Sequence, residues 1–474
     1  MRPLNAFCER GGGMAGTASG KGVLEKHSID VAPESERHGH PLNQFTLWFG
    51  ANMQITAVVD GALAVVFGAD ALWAILGLLI GNIAGGVVMA LHPAQGPKLG
   101  LPQMISSRAQ FGVYGAVIPL VLAVLMYLGF ASTGAVLAGQ AVNVVTGISN
   151  PALGIVIFGV ITAVVATLGY RYIHVLGRIA TVAGLLGFTY LTIQLFAKYD
   201  VGTLLGAKPF TAASFLTAVA LAAGWQLTYG PYVADYSRYL PTKTPAAKTF
   251  WATFAVSVIG SQWSMSLGAL LAALPIAAKN GFLGNQVGFL GQLGGPGVFA
   301  IFIALVVLMG KLTVNTLNAY GGFMSLLTTV SAFTGRTKIS QRLRVFYICG
   351  FLLASVLIAI FASADFLGNF KSLVLLLLMV FIPWSAINLV DYYLISKERV
   401  DVPELYKPDG RYWKWNTVAL CGYAIGVLVQ IPFLAQSLYT GPIATALGGT
   451  DISWLVGLVV AAGVYYPWAK RAKA

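Results

Sequence analysis

A chain of 474 residues with 57% hydrophobic and only 9% charged residues cannot cover itself in water, because a soluble domain carries about 25% charged residues. The net charge of +13 would point to nucleic acid in a soluble protein. Here the basic residues form short bands between apolar runs, which excludes a soluble nucleic-acid partner and describes an all-α, polytopic protein of the lipid bilayer.

In chain order, residues 1–40 combine Gly11-Gly12-Gly13, scattered charge and histidines near the end, and read as a disordered tail. No long apolar run precedes Phe45, so no cleavable signal peptide is expected. Windows of about 20 apolar residues then predict twelve spans, near 43–67, 71–91, 111–142, 153–169, 178–197, 212–233, 249–275, 297–330, 345–363, 371–394, 416–437 and 452–469. The third and eighth exceed the bilayer and should tilt. The connection 92–108 is dense in Pro and Gly and reads as a structured turn rather than a helix. Span ten contains Ile382-Pro383-Trp384, a kink signal. The resulting organisation is a tail (1–40), a ten-span core (41–395), a charged connection (396–415), two further spans (416–469) and a short tail (470–474).

When successive loops are assigned to alternating sides, 24 of the 29 Lys and Arg residues share the side of the N-terminal tail. The positive-inside rule then places both termini in the cytoplasm, with the chain crossing the cell (inner) membrane an even number of times. Cys8, Cys349 and Cys421 form no spacing motif, and the latter two read as small core residues. All five histidines fall in the tail or in predicted cytoplasmic loops, so no histidine relay is expected across the membrane.

Two polar strings interrupt membrane runs: Gly50-Ala51-Asn52-Met53-Gln54 in the first and Gly224-Trp225-Gln226-Leu227-Thr228-Tyr229-Gly230-Pro231 in the sixth. A helix broken at membrane depth leaves amides and carbonyls that lipid cannot solvate, and this is tolerated only where they line a cavity or hold a ligand. Two breaks in corresponding spans, each set of five also containing one overlong third helix, are the signature of a secondary transporter built as a five-plus-five inverted repeat. Spans 11 and 12 are then additions.

The strings Gly96-Pro97-Lys98-Leu99-Gly100-Leu101-Pro102-Gln103-Met104, Ser107-Arg108-Ala109-Gln110-Phe111-Gly112, Pro231-Tyr232-Val233-Ala234-Asp235-Tyr236-Ser237-Arg238-Tyr239-Leu240-Pro241 and Asp391-Tyr392-Tyr393-Leu394 resemble the purine–cytosine permease group of the first nucleobase–cation symporter family. The resemblance covers roughly residues 40–435. It implies the LeuT-type fold with broken helices 1 and 6, alternating access coupled to a cation, and no enzymatic activity or cofactor. It also implies an aromatic on span three against which the base stacks, at Phe130, with an amide four residues on. That position is Gly134, so the amide is lost; a shifted register would offer Tyr127 and Ala131, again without one. The second stacking aromatic falls on Trp225 or Tyr229. Asn315 and Asn318 match the asparagines that bond the base edge, and Gln54 the glutamine that faces substrate. The carbonyls of Gly50 and Met53 and the hydroxyl of Thr313 match the cation site.

A nucleobase is flat and neutral, with donors and acceptors alternating along its edge. Rings that stack on it contribute about 1–3 kcal/mol each, and amides offer both a donor and an acceptor to the edge. Cytosine or a purine is therefore the expected small-molecule substrate; allantoin, a hydantoin, a vitamin precursor or an amino acid are alternatives on the same fold. An enzyme would need paired carboxylates or a nucleophile and base within the spans, and none is visible. Asp235 and Arg238 read as a helix-end pair or gate latch. Ionisable residues within spans are functional candidates, and two stand out: Lys311, two residues before Thr313, and Asp60, about 9 Å along a helix past Gln54. A cationic lysine there would oppose bound sodium, so the proton is favoured over sodium as coupling ion, with Lys311 titrating and Asp60 in reserve.

Overall fold

The computed structural model describes residues 29–37, 39–168, 170–279, 281–336, 339–436 and 439–473. Among them the regular structure is helical. Span 1 is split into Pro41–Asn52 and Ile55–Val66, followed by spans 2 (Ala71–Leu91), 3 (Val117–Thr146), 4 (Pro151–Leu168) and 5 (Tyr170–Lys198). Span 6 runs through Ala212–Leu227 and continues as two short helices, Gly230–Tyr232 and Val233–Ser237. Spans 7 (Ala246–Ala273), 8 (Val298–Thr334), 9 (Gln341–Ala362), 10 (Phe366–Leu389), 11 (Thr417–Leu428) and 12 (Ser453–Lys473) complete the set. Span 10 runs through Pro383 and then widens into a π-helical turn, Val390–Ile395.

Local chemistry sets the helix ends. The side chains of Asp70, Thr211, Ser340 and Asn416 cap the starts of spans 2, 6, 9 and 11 by accepting from backbone N–H groups of the first turn. Spans 3 and 8 both stop at a glycine in the left-handed region, Gly147 at φ 74° and Gly335 at φ 67°, where a side chain would be strained. At 30 and 37 residues these two helices are about 45 and 55 Å long. Both exceed the hydrocarbon thickness, in line with the expectation for the third and eighth runs.

The packing carries the inverted repeat that residue identities do not. Spans 3 and 8 lie along each other, as repeat mates on a pseudo-twofold axis must. Span 6 packs on span 2 and span 1 on span 7; spans 1 and 5 meet, as do 6 and 10; spans 5 and 8 meet, as do 10 and 3. Each contact has its counterpart when 1–5 are exchanged for 6–10. The approaches are close: a Cβ on Gly61 would lie 2.0 Å from the Met265 carbonyl oxygen, and one on Gly268 1.8 Å from that of Val58. Small residues let helix backbones touch where lipid supplies no hydrophobic drive. Exposed Ile80, Leu125, Val160, Phe196 and Phe361 face outward from this bundle.

Several expectations are corrected. The connection 92–108 is not a plain turn but three short helices, Gln95–Leu99, Gln103–Ser106 and Arg108–Phe111, since its prolines sit at helix starts or between turns. Residues 1–28 of the tail lie outside the described residues, whereas the segment from Ile29 onward is docked. The Ala32 N–H donates to the Gly100 carbonyl (2.9 Å), the Gly39 N–H to that of Tyr239 (2.9 Å), and the Tyr406 hydroxyl to that of Ile29 (2.8 Å). The Arg37 guanidinium reaches the Pro97 carbonyl and the Thr242 hydroxyl, both at 3.0 Å. Hydrogen bonds from the Thr242 hydroxyl and amide hold the Glu34 carboxyl below its ordinary value. Cys349 and Cys421 are exposed rather than in the core, on helix faces turned away from the bundle. His92 is not a solvated loop residue: it is fully buried at the end of span 2, against Trp384.

Candidate functional site at the two helix breaks

Span 1 turns by 51° between Asn52 and Ile55. Gln54 is extended, at φ −144° and ψ 158°, and the carbonyls freed by the turn find partners outside the helix. That of Ala51 accepts from the Gln54 side-chain amide (2.8 Å) and from the Tyr229 hydroxyl (3.3 Å), and that of Asn52 from the Ser264 hydroxyl on span 7 (2.9 Å).

Span 6 breaks differently. The N–H groups of Thr228, Tyr229 and Tyr232 donate to the carbonyls of Gly224, Gln226 and Tyr229, and the Thr228 hydroxyl to that of Trp225 (2.7 Å). The turn satisfies itself and presents rings: Tyr229 packs edge-to-face with Trp225, Tyr232 and Trp48.

Between the breaks lies a narrow cavity with room for about one water molecule. Span 1 lines it with Gln54 and Thr56, span 3 with Phe130, span 6 with Trp225, Thr228, Tyr229 and Tyr232, and span 8 with Lys311, Val314 and Asn318. The expected residues Gln54, Phe130, Trp225, Tyr229 and Asn318 thus converge. Trp225 and Tyr229 both face the cavity, so neither register excludes the other. Phe130 and Trp225 meet at 6.0 Å and 86°, an edge-on pair rather than two parallel walls. The Asn318 amide nitrogen is buried and has no partner among the described residues, a free donor at the cavity wall. Tyr127, the alternative to Phe130, is absent from the lining; it packs on Tyr232 and fills the space beside Gly321.

Asn315 is not a lining residue. Its amide nitrogen donates to the Ala131 carbonyl on span 3 (2.8 Å), which is interhelical bonding of a familiar membrane kind. This accounts for the missing amide at Gly134. A Cβ there would lie 2.1 Å from Asn315 Oδ1 and 2.9 Å from Lys311 Cε. Span 3 has given up its side chain to admit two from span 8.

Lys311 is fully buried, and its Nζ donates to Gln54 Oε1 (2.8 Å) and Thr56 Oγ1 (2.6 Å) across the break of span 1. Its hydrogen bonds do not go to the carbonyls of Gly50 or Met53. Those residues and Thr313 flank span 5 instead. A Cβ on Gly50 would strike Thr181 Oγ1 at 2.3 Å, one on Gly184 would sit 3.2 Å from the Met53 carbonyl oxygen, and Gly177 lies beside Thr313. The Thr313 hydroxyl donates back to its own helix at Met309 (3.0 Å). The expected cation trio and the lysine are therefore adjacent but separate, because residues 311 and 313 leave the helix on different faces. Asp60 is fully buried one helical turn beyond Thr56 and is not part of the lining. Asp235 Oδ1 accepts from the Gln103 N–H (2.7 Å), which secures the end of span 6 to the connection after span 2, and the Arg238 guanidinium lies over the ring of its neighbour Tyr239.

Asn52 carries a role that spacing did not reveal. Its Oδ1 accepts from Trp225 Nε1 (2.7 Å) and the Ser261 hydroxyl (2.6 Å), and its Nδ2 donates to the Ser257 hydroxyl (3.1 Å) and the Trp48 carbonyl (2.7 Å). One buried amide thereby joins both breaks to span 7. Gln226 extends the network to Asn82 and Ser261. The signal was present in the polar strings themselves, which contain both amides.

A family described as permease for cytosine/purines, uracil, thiamine, allantoin matches residues 31–457. A putative purine-cytosine permease, YxlA, of Bacillus subtilis (strain 168) is 38% identical over 445 residues, covering 94% of this chain and 95% of the relative. The purine-cytosine permease fcyB of Emericella nidulans is 25% identical over 465 residues, covering 93% and 87%. Among solved structures, the inward facing conformation of Mhp1 superposes with a TM-score of 0.73 at 21% identity, covering 95% of this chain and 94% of that one. That likeness is one of fold.

Proposed function

Since this chain belongs to the permease family for cytosine/purines, uracil, thiamine and allantoin, and is a membrane transporter rather than an enzyme, we propose that it imports a nucleobase such as cytosine or a purine by cation-coupled alternating access. The observation that carries the reading is the cavity at the two breaks. It joins aromatic rings from spans 3 and 6 to the unpartnered amide nitrogen of Asn318 and the side chain of Gln54. Rings bind a flat heteroaromatic by its faces, and amides bind its edge. A free amino acid would require a partner for its carboxylate and another for its ammonium, and the one charged group in the lining is Lys311.

The proton is the coupling ion in this reading. Lys311 Nζ occupies the polar notch that the break of span 1 opens, held by Gln54 and Thr56. A second cation entering that same notch, 4 Å from the ammonium, would be repelled by about 4 kcal/mol at an effective dielectric near 20. The lysine touches the same glutamine that faces the cavity, so its protonation and substrate binding act on one side chain. Both termini in the cytoplasm and the cell membrane as location are supported by the clustering of 24 of 29 basic residues on one side.

The test is uptake of a labelled nucleobase panel by purified protein in liposomes, with sodium and pH gradients imposed separately, for the wild type, Lys311→Met and Asn318→Ala. Uptake should follow the pH gradient in sodium-free buffer and be lost in Lys311→Met. Asn318→Ala should weaken the favoured base by about 1–3 kcal/mol, the cost of an unpaired polar group in a desolvated site. Uptake that needs sodium and ignores pH would reject proton coupling; no uptake of any base would reject the substrate class.

A further inference from the structure

Asp60, so far only the reserve candidate for coupling, lies outside the cavity lining. It is completely buried in the second half of span 1, and neither carboxyl oxygen has a hydrogen-bond partner among the described residues. An ionised carboxylate without water, donors or a counter-charge is the costliest form such a group can take, and a neutral acid avoids most of that cost.

The helices packed against this half of span 1 are spans 2, 3, 6, 7, 8 and 10. Span 2 has no titratable side chain between Ala71 and Leu91. Span 3 contributes Tyr127, span 6 Tyr229 at its break, span 7 Lys248 near its start, span 8 Lys311 and Tyr320, and span 10 Lys371. Lys371 lies over the ring of Phe67 at the far end of span 1, 3.9 Å from its centre. Tyr229 is within electrostatic reach of Asp60, but its hydroxyl donates to Ala51. Thr56, which accepts from Lys311 Nζ, is four residues before Asp60, so the two share a helix face about 6 Å apart along the axis. Lys311 is thus the cation whose ammonium already bonds a residue on the Asp60 face.

We infer that Asp60 is a proton-binding site that controls the position of Lys311 and, through it, the affinity for substrate. The inference rests on the proton coupling proposed above, but places the transferred proton on Asp60 and keeps Lys311 cationic throughout. With the proton on Asp60 the carboxyl is neutral, and Lys311 is free to hold Gln54 and Thr56, the arrangement seen in the structure. When the O–H bond breaks and the proton leaves to water, the carboxylate attracts the ammonium one helical turn along span 1. The four-carbon stem of lysine permits such a swing, and Gln54 loses its partner at the cavity. Proton-loaded carrier then binds base well and proton-free carrier binds it poorly. The loaded pair carries one positive charge and the unloaded pair none, so each neutral base crosses with one charge.

The experiment is Asp60→Asn in proteoliposomes, since asparagine mimics the neutral acid and sacrifices no existing hydrogen bond. Wild-type affinity for the favoured base should fall as pH rises. In Asp60→Asn it should be independent of pH and within about threefold of the low-pH wild type, because one state of a two-state switch is locked in. Base-for-base exchange should persist while pH-driven net accumulation falls at least about tenfold. Asp60→Ser, read by the same measurements, covers a failure of the asparagine variant to fold. Wild-type accumulation in either folded variant overturns the inference and leaves proton coupling standing. Loss of base binding in both folded variants also overturns it, since Asp60 would then belong to the substrate site. A wild type driven by sodium and indifferent to pH removes the proton-coupled reading itself, and the role of Asp60 with it.

Discussion

The two breaks solve the same physical problem in opposite ways. The break of span 1 is completed from outside: Ser264 of span 7, Tyr229 of span 6 and Lys311 of span 8 supply donors to its carbonyls and to the oxygens of Gln54 and Thr56. The break of span 6 closes its own backbone bonds in tight turns and offers ring faces instead. A break that borrows its partners is a polar receptor whose shape depends on where neighbouring helices stand. A self-contained break is a rigid aromatic wall. Under the proposed alternating access helices would move against one another, so the borrowed bonds of span 1 are the ones able to sense such motion, while the turns of span 6 keep their own bonds.

This contrast can be attacked by substitution. The largest effect is expected for Asn52→Ala, which leaves Trp225 Nε1 and the hydroxyls of Ser257 and Ser261 without their shared partner. At about 1–3 kcal/mol per buried orphan, partly relieved by rearrangement, a loss of about 2–5 kcal/mol should appear in thermal unfolding in detergent. A variant as stable as the wild type would show that the two breaks are not tied through this amide. Next comes Gly50→Ala, whose Cβ would lie 2.3 Å from Thr181 Oγ1. Overpacking there should cost about 1–3 kcal/mol and depress transport; normal stability and uptake would mean that span 5 is not pressed against the first break. Phe130→Ala should weaken base affinity about tenfold, near 1.4 kcal/mol, while Phe130→Trp is tolerated. Equal affinities for all three proteins would remove span 3 from the stacking site. The smallest effect is expected for Gly230→Ala in the sixth-span break. Its Cβ would meet the Trp384 ring, Ser385 Oγ and His92 Nε2 at 3.5–3.7 Å, ordinary contact distances. Stability should change by less than about 0.5 kcal/mol, and a large loss would show that this break is as dependent on its surroundings as the other.

Much of the fold was readable because lipid imposes simple rules on sequence. Each of the twelve apolar windows holds a helical segment and both overlong runs are long helices, but span 5 starts at Tyr170, eight residues before its window, and span 11 is α-helical only over Thr417–Leu428 of the expected 416–437. The two broken strings line one cavity. What escaped were cases in which a polar residue is paid for by a partner far away in the chain. Asn315 and Asn318 look alike in sequence, yet one bonds the Ala131 carbonyl and the other leaves its amide free at the cavity. His92 sits among Pro and Gly like a solvated loop residue and is nonetheless buried beside Trp384. The short helices after it escaped because five-residue turns leave no periodicity to detect.

The sequence by itself determined that the chain is a helical membrane protein, that spans 1 and 6 break, and which family it joins, because each follows from composition, local backbone chemistry or contiguous motifs. Only the tertiary structure decided which polar side chains meet. Lys311 reaches Gln54 and Thr56 across some 255 residues of chain, through space vacated at Gly134. Such meetings depend on the crossing and rotation of whole helices, and a one-dimensional pattern records the face a residue occupies but not the helix that face will touch.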